Sequence, residues 1–325
     1  MKVGTRGSAL ALAQTRLVTR RIVPESLRGE GLDVVVVNTS GDGLRAGQRP
    51  GGDKSRWVAE LEHALQAGDI DLAVHSAKDV PGELVDGLEL LGSPGRAAPE
   101  DALIGASSIE QLPQRGYVGT SSVRRAAQLL AARPDLQVIS LRGNVDSRLR
   151  KLADDIKAPG AERPQPPPRD PGGFDAIVLA AAGLIRLGRQ ADIGCALSVE
   201  RFVPAPGQGA LALQARAGDE KTRAIVADLL DADASACLTA ERALAQSLSA
   251  SCNTPLGAHA VPADCGCLQL RAWVGLPDGS EWVADELVGG FYDPDELGRR
   301  MAERLRDAGA EDLLRRAEEM AIDRI

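Results

Sequence analysis

Residues 32–39, LDVVVVNT, form a continuous apolar run closed by Ser40-Gly41-Asp42. A run so short and so rich in β-branched residues predicts a strand buried on both faces of a parallel sheet. Residues 71–75 and 175–180 read the same way. Between these runs lie amphipathic stretches at 10–22, 58–67, 123–132 and 145–153, each long enough for a helix. Short buried strands alternating with helices call for a doubly wound α/β architecture.

The pattern also recurs within the chain. Val3-Gly4-Thr5 followed by Gln14 is echoed by Val118-Gly119-Thr120 followed by Gln128. Leu32-Asp33-Val34 leading to Gly41 is echoed by Leu136-Gln137-Val138 leading to Gly143, and Asp71-Leu72-Ala73-Val74 by Asp175-Ala176-Ile177-Val178. Three weak matches in one order predict two similarly built domains of periplasmic-binding-protein type facing each other across a cleft. Ligands then bind at strand carboxyl ends and helix N-termini between them.

Pro- and Gly-rich punctuation at 92–95 and 204–209 reads as two crossings between those domains. The expected division is domain 1 at 1–94 and 208–228, domain 2 at 98–203, and a small α+β C-terminal domain at 231–325. In the last, a helix over 235–249, a loop holding Cys252, strands over 268–274 and 281–287 and two charged helices follow one another. The stretch 159–173 is too Pro-rich for helix or strand and reads as an exposed insertion without an assigned function.

With 44% hydrophobic and 26% charged residues over 325 positions, the composition is that of a water-soluble globular protein. The N-terminus lacks the layout of a signal peptide, and the longest apolar stretch, 176–185, is about half of what spans a bilayer. A cytoplasmic monomer without a membrane partner is expected. A net charge of −8 argues against nonspecific binding of nucleic acid. Five cysteines, an odd number, argue against a disulfide framework, so all are expected to be reduced. Cys265 and Cys267 lack a second pair, and His63, His75 and His259 have no zinc spacing, so no metal is expected.

The positive charge is patterned. Only six of the 38 basic residues are Lys, and several Arg stand beside Gly, Ser or Thr at strand-to-helix turns: Arg6 before Gly7-Ser8, Arg124 and Arg125 after Ser122, Arg142 before Gly143, and Arg148 after Ser147. The planar guanidinium suits carboxylate or phosphate, and small neighbours admit the ligand to the backbone. The segment DLAVHSAKDVP at 71–81 places Ser76, Lys78 and Asp79 at a strand's carboxyl end, as a site or as a salt-bridged loop. Cys252 stands among turn-forming residues, an exposed position for a thiol, either reactive or an ordinary loop cysteine.

Seven blocks then settle into a familiar order: GTRGSALALAQ, HSAKDVP, GTSSVRR, LRGNVDSRL, AGLIRLG, PGQGAL and CNTPLGAHA. In sequence and spacing the chain resembles the porphobilinogen deaminase family, also called hydroxymethylbilane synthases, over nearly its whole length. The resemblance implies a transferase of tetrapyrrole biosynthesis, on the route to haem and chlorophyll. Such enzymes condense four porphobilinogen molecules head to tail, release ammonia at each step, and build on a dipyrromethane cofactor held by a thioether.

By motif the resemblance makes Cys252 the attachment residue and Asp79 the catalytic carboxylate, which steadies the cation left when ammonia departs. It makes Arg6, Ser8, Lys54, Ser76, Lys78, Thr120, Ser122, Arg124, Arg125, Arg142 and Arg148 candidates to hold the cofactor, and Arg6, Arg142, Arg148 and Arg186 to hold substrate. A polycarboxylate chain needs such a concentration of cations. Three places depart from the family pattern: Ala250-Ser251 before Cys252, residues 54–59 (KSRWVA), and Gln214 where Glu is usual.

Two other readings fit the residues alone. A cleft between α/β domains also describes noncatalytic binding proteins for a carboxylate-rich small molecule. Thiol acyl transfer through Cys252 would want a histidine base, for which His259 is the nearest in sequence.

Overall fold

The computed structural model describes residues 1–22, 31–37, 58–156, 173–250, 254–264 and 266–322, the side chains of 154–156 and 321–322 excepted. Elements are numbered in chain order. The first sheet joins β1 (Lys2–Arg6), β2 (Asp33–Val37), β3 (Leu72–Ser76), β4 (Leu88–Gly92) and β10 (Leu211–Arg216) in the order β2-β1-β3-β10-β4. The second joins β5 (Asp101–Ile104), β6 (Tyr117–Gly119), β7 (Gln137–Ile139), β8 (Ala176–Ala180) and β9 (Cys195–Leu197) in the order β7-β6-β8-β5-β9.

Both sheets have one plan. In the first, β1 runs parallel to β2 and β3, and β10 lies antiparallel beside β3. In the second, β6 runs parallel to β7 and β8, and β5 lies antiparallel beside β8. The three echoed segments are therefore equivalent strands of two doubly wound sheets. Even their aspartates match: Asp71 Oδ2 accepts from Lys2 N, and Asp175 Oδ2 from Tyr117 N, each at 2.7 Å. Each carboxylate ties the start of one strand to the start of its parallel neighbour.

Helices α1 (Ala9–Thr19), α2 (Ala59–Ala67) and α6 (Glu220–Val226) belong to the first unit, and α3 (Val123–Ala132), α4 (Val145–Ile156) and α5 (Ala181–Arg186) to the second. Their starts follow from capping chemistry. Ser8 Oγ accepts from Ala11 N at 3.2 Å and Ser122 Oγ from Arg125 N at 3.4 Å, each worth about 1 kcal/mol. Apolar clusters cover both faces of the second sheet, one around Leu103, Val118 and Leu129, the other around Ile104, Leu141 and Leu184.

The run at 32–39 behaves differently from its expectation. β2 is the edge strand, and Val34 and Val36 are 44% and 48% exposed, so this apolar run is not buried on both faces. Of it, residues 38 and 39 lie outside the described residues, as does the insertion apart from Gly173.

A third sheet, β11 (Leu256–Ala263), β12 (Cys267–Gly275) and β13 (Trp282–Gly290), is antiparallel throughout and packs with α7 (Ala232–Ser247), α8 (Pro294–Asp307) and α9 (Ala310–Ile322). Its core is built from Leu244, Leu268, Leu270, Leu297, Met301 and Leu305, all fully buried or nearly so. β11, hidden in the sequence behind Pro255 and Pro262, was not expected as a strand. Cys267 is disulfide-bonded, which corrects the expectation that all five cysteines are reduced. It opens β12 at the hairpin end opposite Leu256.

One carboxylate joins this unit to both crossings. Glu241 on α7 is fully buried, and it accepts from Arg96 Nη1 at 2.6 Å, Gly207 N at 2.6 Å and Ala260 N at 2.7 Å. Burial opposes its charge, but Arg96 and His259 outweigh that and hold its carboxyl below the usual range. His259 Nδ1 lies 3.7 Å from Glu241 Oε1, so the histidine faces a buried acid at the domain junction.

Candidate active site

The strands end at a common cleft of about 800 Å³, within the usual size for a small-molecule site. From the first unit it is lined by Arg6 and Ser8 after β1, Gln14 on α1, and Ser76, Lys78 and Asp79 after β3. From the second come Arg125 on α3, Asn144, Asp146 and Arg148 at the start of α4, and Arg186 closing α5. Five cations thus face two carboxylates, Asp79 and Asp146, in a protein whose net charge is −8. Anionic ligands are drawn to this interior although the whole molecule is acidic.

Asp79 ends a one-turn 3-10 helix, Ala77–Asp79, fixed by Val80 N donating to Ala77 O at 3.2 Å. Ser76 beside it exchanges hydrogen bonds with Gln14: Nε2 donates to Ser76 Oγ at 2.8 Å and Ser76 Oγ to Gln14 Oε1 at 3.1 Å. Behind Asp79, buried His75 lies 2.9 Å through Nε2 from Gln214 Oε1, and Gln214 Nε2 donates to Glu62 Oε1 at 3.0 Å. Burial lowers the His75 pKa to about 4, against the smaller raising effect of Gln214, so the ring is neutral at pH 7.

The arginines fall into two sets. Arg148 donates through Nε to Gly143 O at 2.7 Å and Arg186 through Nη2 to Gly209 O at 2.6 Å; both keep further donors for a ligand. Burial brings each down to about 10, with Arg125 adding to the effect at Arg148, and both remain charged at neutral pH. Arg124 and Arg125 are committed instead to fully buried Asp101: Arg124 Nη1 lies 2.8 Å from Oδ2 and Arg125 Nε 2.8 Å from Oδ1. Burial works against the Asp101 charge, yet the two guanidiniums overcome it and hold the carboxyl far below the usual range.

Arg125 still reaches the cleft, whereas Arg124 is spent on Asp101 and on Val203 O at 2.8 Å. Thr120 is buried, with Oγ1 accepting from Ser122 N at 3.2 Å, and Ser122 caps α3. Arg142 is exposed, just before the cleft-lining residues Gly143 and Asn144. Lys54 and Cys252 lie outside the described residues. Gln14, Asn144, Asp101 and Gln208 had not been assigned to the site; Gln14, Asn144 and Gln208 stand inside the quoted blocks, and a polar residue within such a block was the available signal. Asp101 follows the first crossing with no such cue.

A cation-lined cleft between two doubly wound units, with a single carboxylate at its β3 wall, defines a site for an anionic small molecule. The description "Porphobilinogen deaminase, dipyromethane cofactor binding domain" matches residues 1–224, and "Porphobilinogen deaminase, C-terminal domain" matches 235–307. The chain belongs to the porphobilinogen deaminase family, transferases of tetrapyrrole biosynthesis that carry a dipyrromethane cofactor. Porphobilinogen deaminase of Deinococcus deserti is 42% identical, covering 98% of both chains, and that of Brevibacillus brevis 40% identical, covering 96% of both. Among solved structures, a putative methionine-binding lipoprotein of Bacillus subtilis is 13% identical with a TM-score of 0.40, covering 71% of this chain and 90% of its own. No helix among the described residues is long and apolar enough to cross a membrane.

Proposed function

We propose that this chain condenses four porphobilinogen molecules head to tail into hydroxymethylbilane, with Cys252 as cofactor anchor and Asp79 as the catalytic carboxylate. The observation that carries the reading is the convergence of Arg6, Lys78, Arg125, Arg148 and Arg186 around Asp79 in one cleft. The donor set fits a dipyrromethane, since each of its rings brings two carboxylates for guanidinium and ammonium donors. When bound, that group supplies the pyrrole carbon on which the chain is extended.

The chain's own residues do the rest. Arg148 and Arg186, each with one donor spent on a backbone carbonyl, present the others to acetate and propionate groups. Asp79, held on its one-turn helix, accepts from pyrrole N–H and steadies positive charge as ammonia leaves. The proton that departs with ammonia is matched by the one lost from the extended pyrrole carbon, so a single carboxylate can carry both transfers.

We take the units as 1–94 with 208–228, 98–203 and 231–325; the return of β10 into the first sheet supports this. A cytoplasmic monomer acting on a freely diffusing substrate completes the reading. Intact mass of the denatured protein tests it: two pyrrole units above the sequence mass are expected, absent in Cys252→Ala. An unmodified Cys252 in active protein overturns the anchor. Asp79→Ala is expected to fold and to lose nearly all turnover, and wild-type turnover in it removes Asp79 from the role.

A further inference from the structure

Gln208 lies in the second crossing between Gly207 and Gly209 and is 1% exposed. Both glycines hold positive φ, 73° and 88°, and a Cβ on Gly209 would stand 2.4 Å from Ala97 O, so the crossing passes where only glycine fits. Its side chain is fully used. Nε2 donates to Pro99 O and to Asp101 Oδ1, each at 2.8 Å, while Oε1 accepts from Lys78 Nζ and from Arg125 Nη2, each at 3.3 Å.

The orientation of the amide follows from its neighbours. Two acceptors on one side fix the nitrogen there, and two cationic donors without acceptor capacity fix the oxygen opposite them. Lys78 belongs to the wall built after β3, Arg125 to the wall built on α3. We propose that Gln208 is a positioning residue that holds the two cleft walls in register by placing Lys78 and Arg125 on a single amide oxygen. The proposal rests on the reading of the cleft as the site of chain assembly.

The bonds are distributed unevenly. Pro99, Asp101 and Arg125 all lie on the second unit, and Lys78 alone among the four partners lies on the first. Gln208 itself heads the stretch 208–228 that returns to the first unit, so its bonds to Pro99, Asp101 and Arg125 cross between the walls while Lys78 shares its own side. The neutral oxygen keeps two cations near each other and is readily exchanged for a ligand carboxylate. A glutamate at this position would set a second carboxylate against Asp101, and an apolar residue would leave the walls without the shared acceptor.

Two variants of the cofactor-loaded protein test this. Gln208→Leu is expected to keep the full primer mass and kcat within about twofold while KM for porphobilinogen rises about tenfold, the loss of one hydrogen-bonded link to a charge. Small-angle scattering is expected to show a larger radius for it than for wild type. Q208E is expected to lower stability through repulsion with Asp101 and with the carbonyl oxygen of Pro99, which now faces an acceptor instead of a donor. Wild-type KM and radius in Gln208→Leu overturn the proposal. So does a joint loss of primer, kcat and stability in it, since that marks a structural role only. Absence of primer mass from the wild-type protein itself would instead strike the assembly reading, while the scattering arm still reports on the latch.

Discussion

His75 Nε2 lies 2.9 Å from Gln214 Oε1, and the amide can face no other way because its nitrogen donates to Glu62 Oε1 at 3.0 Å. The imidazole must then be the Nε2–H tautomer, a neutral ring directly behind the residues that bear Lys78 and Asp79. A glutamate at position 214 would draw a proton onto this ring; glutamine does not.

That arrangement predicts a pH dependence of stability. The folded His75 titrates near 4, the unfolded one near 6.5, so between these values the unfolded chain binds a proton that the folded chain refuses. Stability should rise with pH across this window by as much as about 3 kcal/mol, and be flat in this respect above it. Urea denaturation from pH 4 to 8 measures the slope. In Gln214→Glu the slope should shrink or reverse, because a carboxylate beside the ring favours its charged form.

Asp101→Asn should be among the most damaging single changes. It leaves Arg124 and Arg125, both nearly fully buried, without their counter-charge, a loss of about 3–5 kcal/mol. Denaturation midpoints check this. A second change, Arg124→Met, should return part of the lost stability, since Arg124 does not reach the cleft; no recovery would show that Asp101 acts on Arg125 alone.

Arg186→Leu removes a side chain whose one backbone bond is to Gly209 O and whose remaining donors face the cleft. KM for porphobilinogen should rise about tenfold or more with a change in melting temperature of only a few degrees. Arg186→Lys should recover little, because an ammonium cannot reproduce the paired donors of the guanidinium. Steady-state kinetics beside thermal unfolding separates the two effects.

Glu241→Gln keeps the shape of the side chain but leaves Arg96 unpaired at 12% side-chain exposure. Unfolding free energy should fall by about 3 kcal/mol, with Arg96→Met in the same background partly offsetting it. Parallel loss in both single variants and near-additivity in the double would show that the pair is not coupled.

Much of this was legible in the sequence because period and chemistry coincided. The helix at 123–132 could be read to the residue, since Ser122 caps it and an amphipathic run follows. The echo between residues 71 and 175 marked equivalent strands because both aspartates make the same bond. Other parts were hidden for physical reasons. β11 carries prolines at or beside its ends, which argue against a strand until its pairing with β12 is seen. Arg124 and Arg125 look alike in sequence, yet only the fold decides that one is turned to Asp101 and Val203 while the other also reaches the cleft. Asp101 and Gln208 are 107 positions apart and meet through folding alone.

The burial of Glu241 has a mechanical consequence. Because the same carboxylate grips Arg96 at one crossing and Gly207 in the other, both connections between the walls are fastened to the C-terminal unit. A rotation of either wall would therefore have to pivot beside a carboxylate that the third unit holds in place.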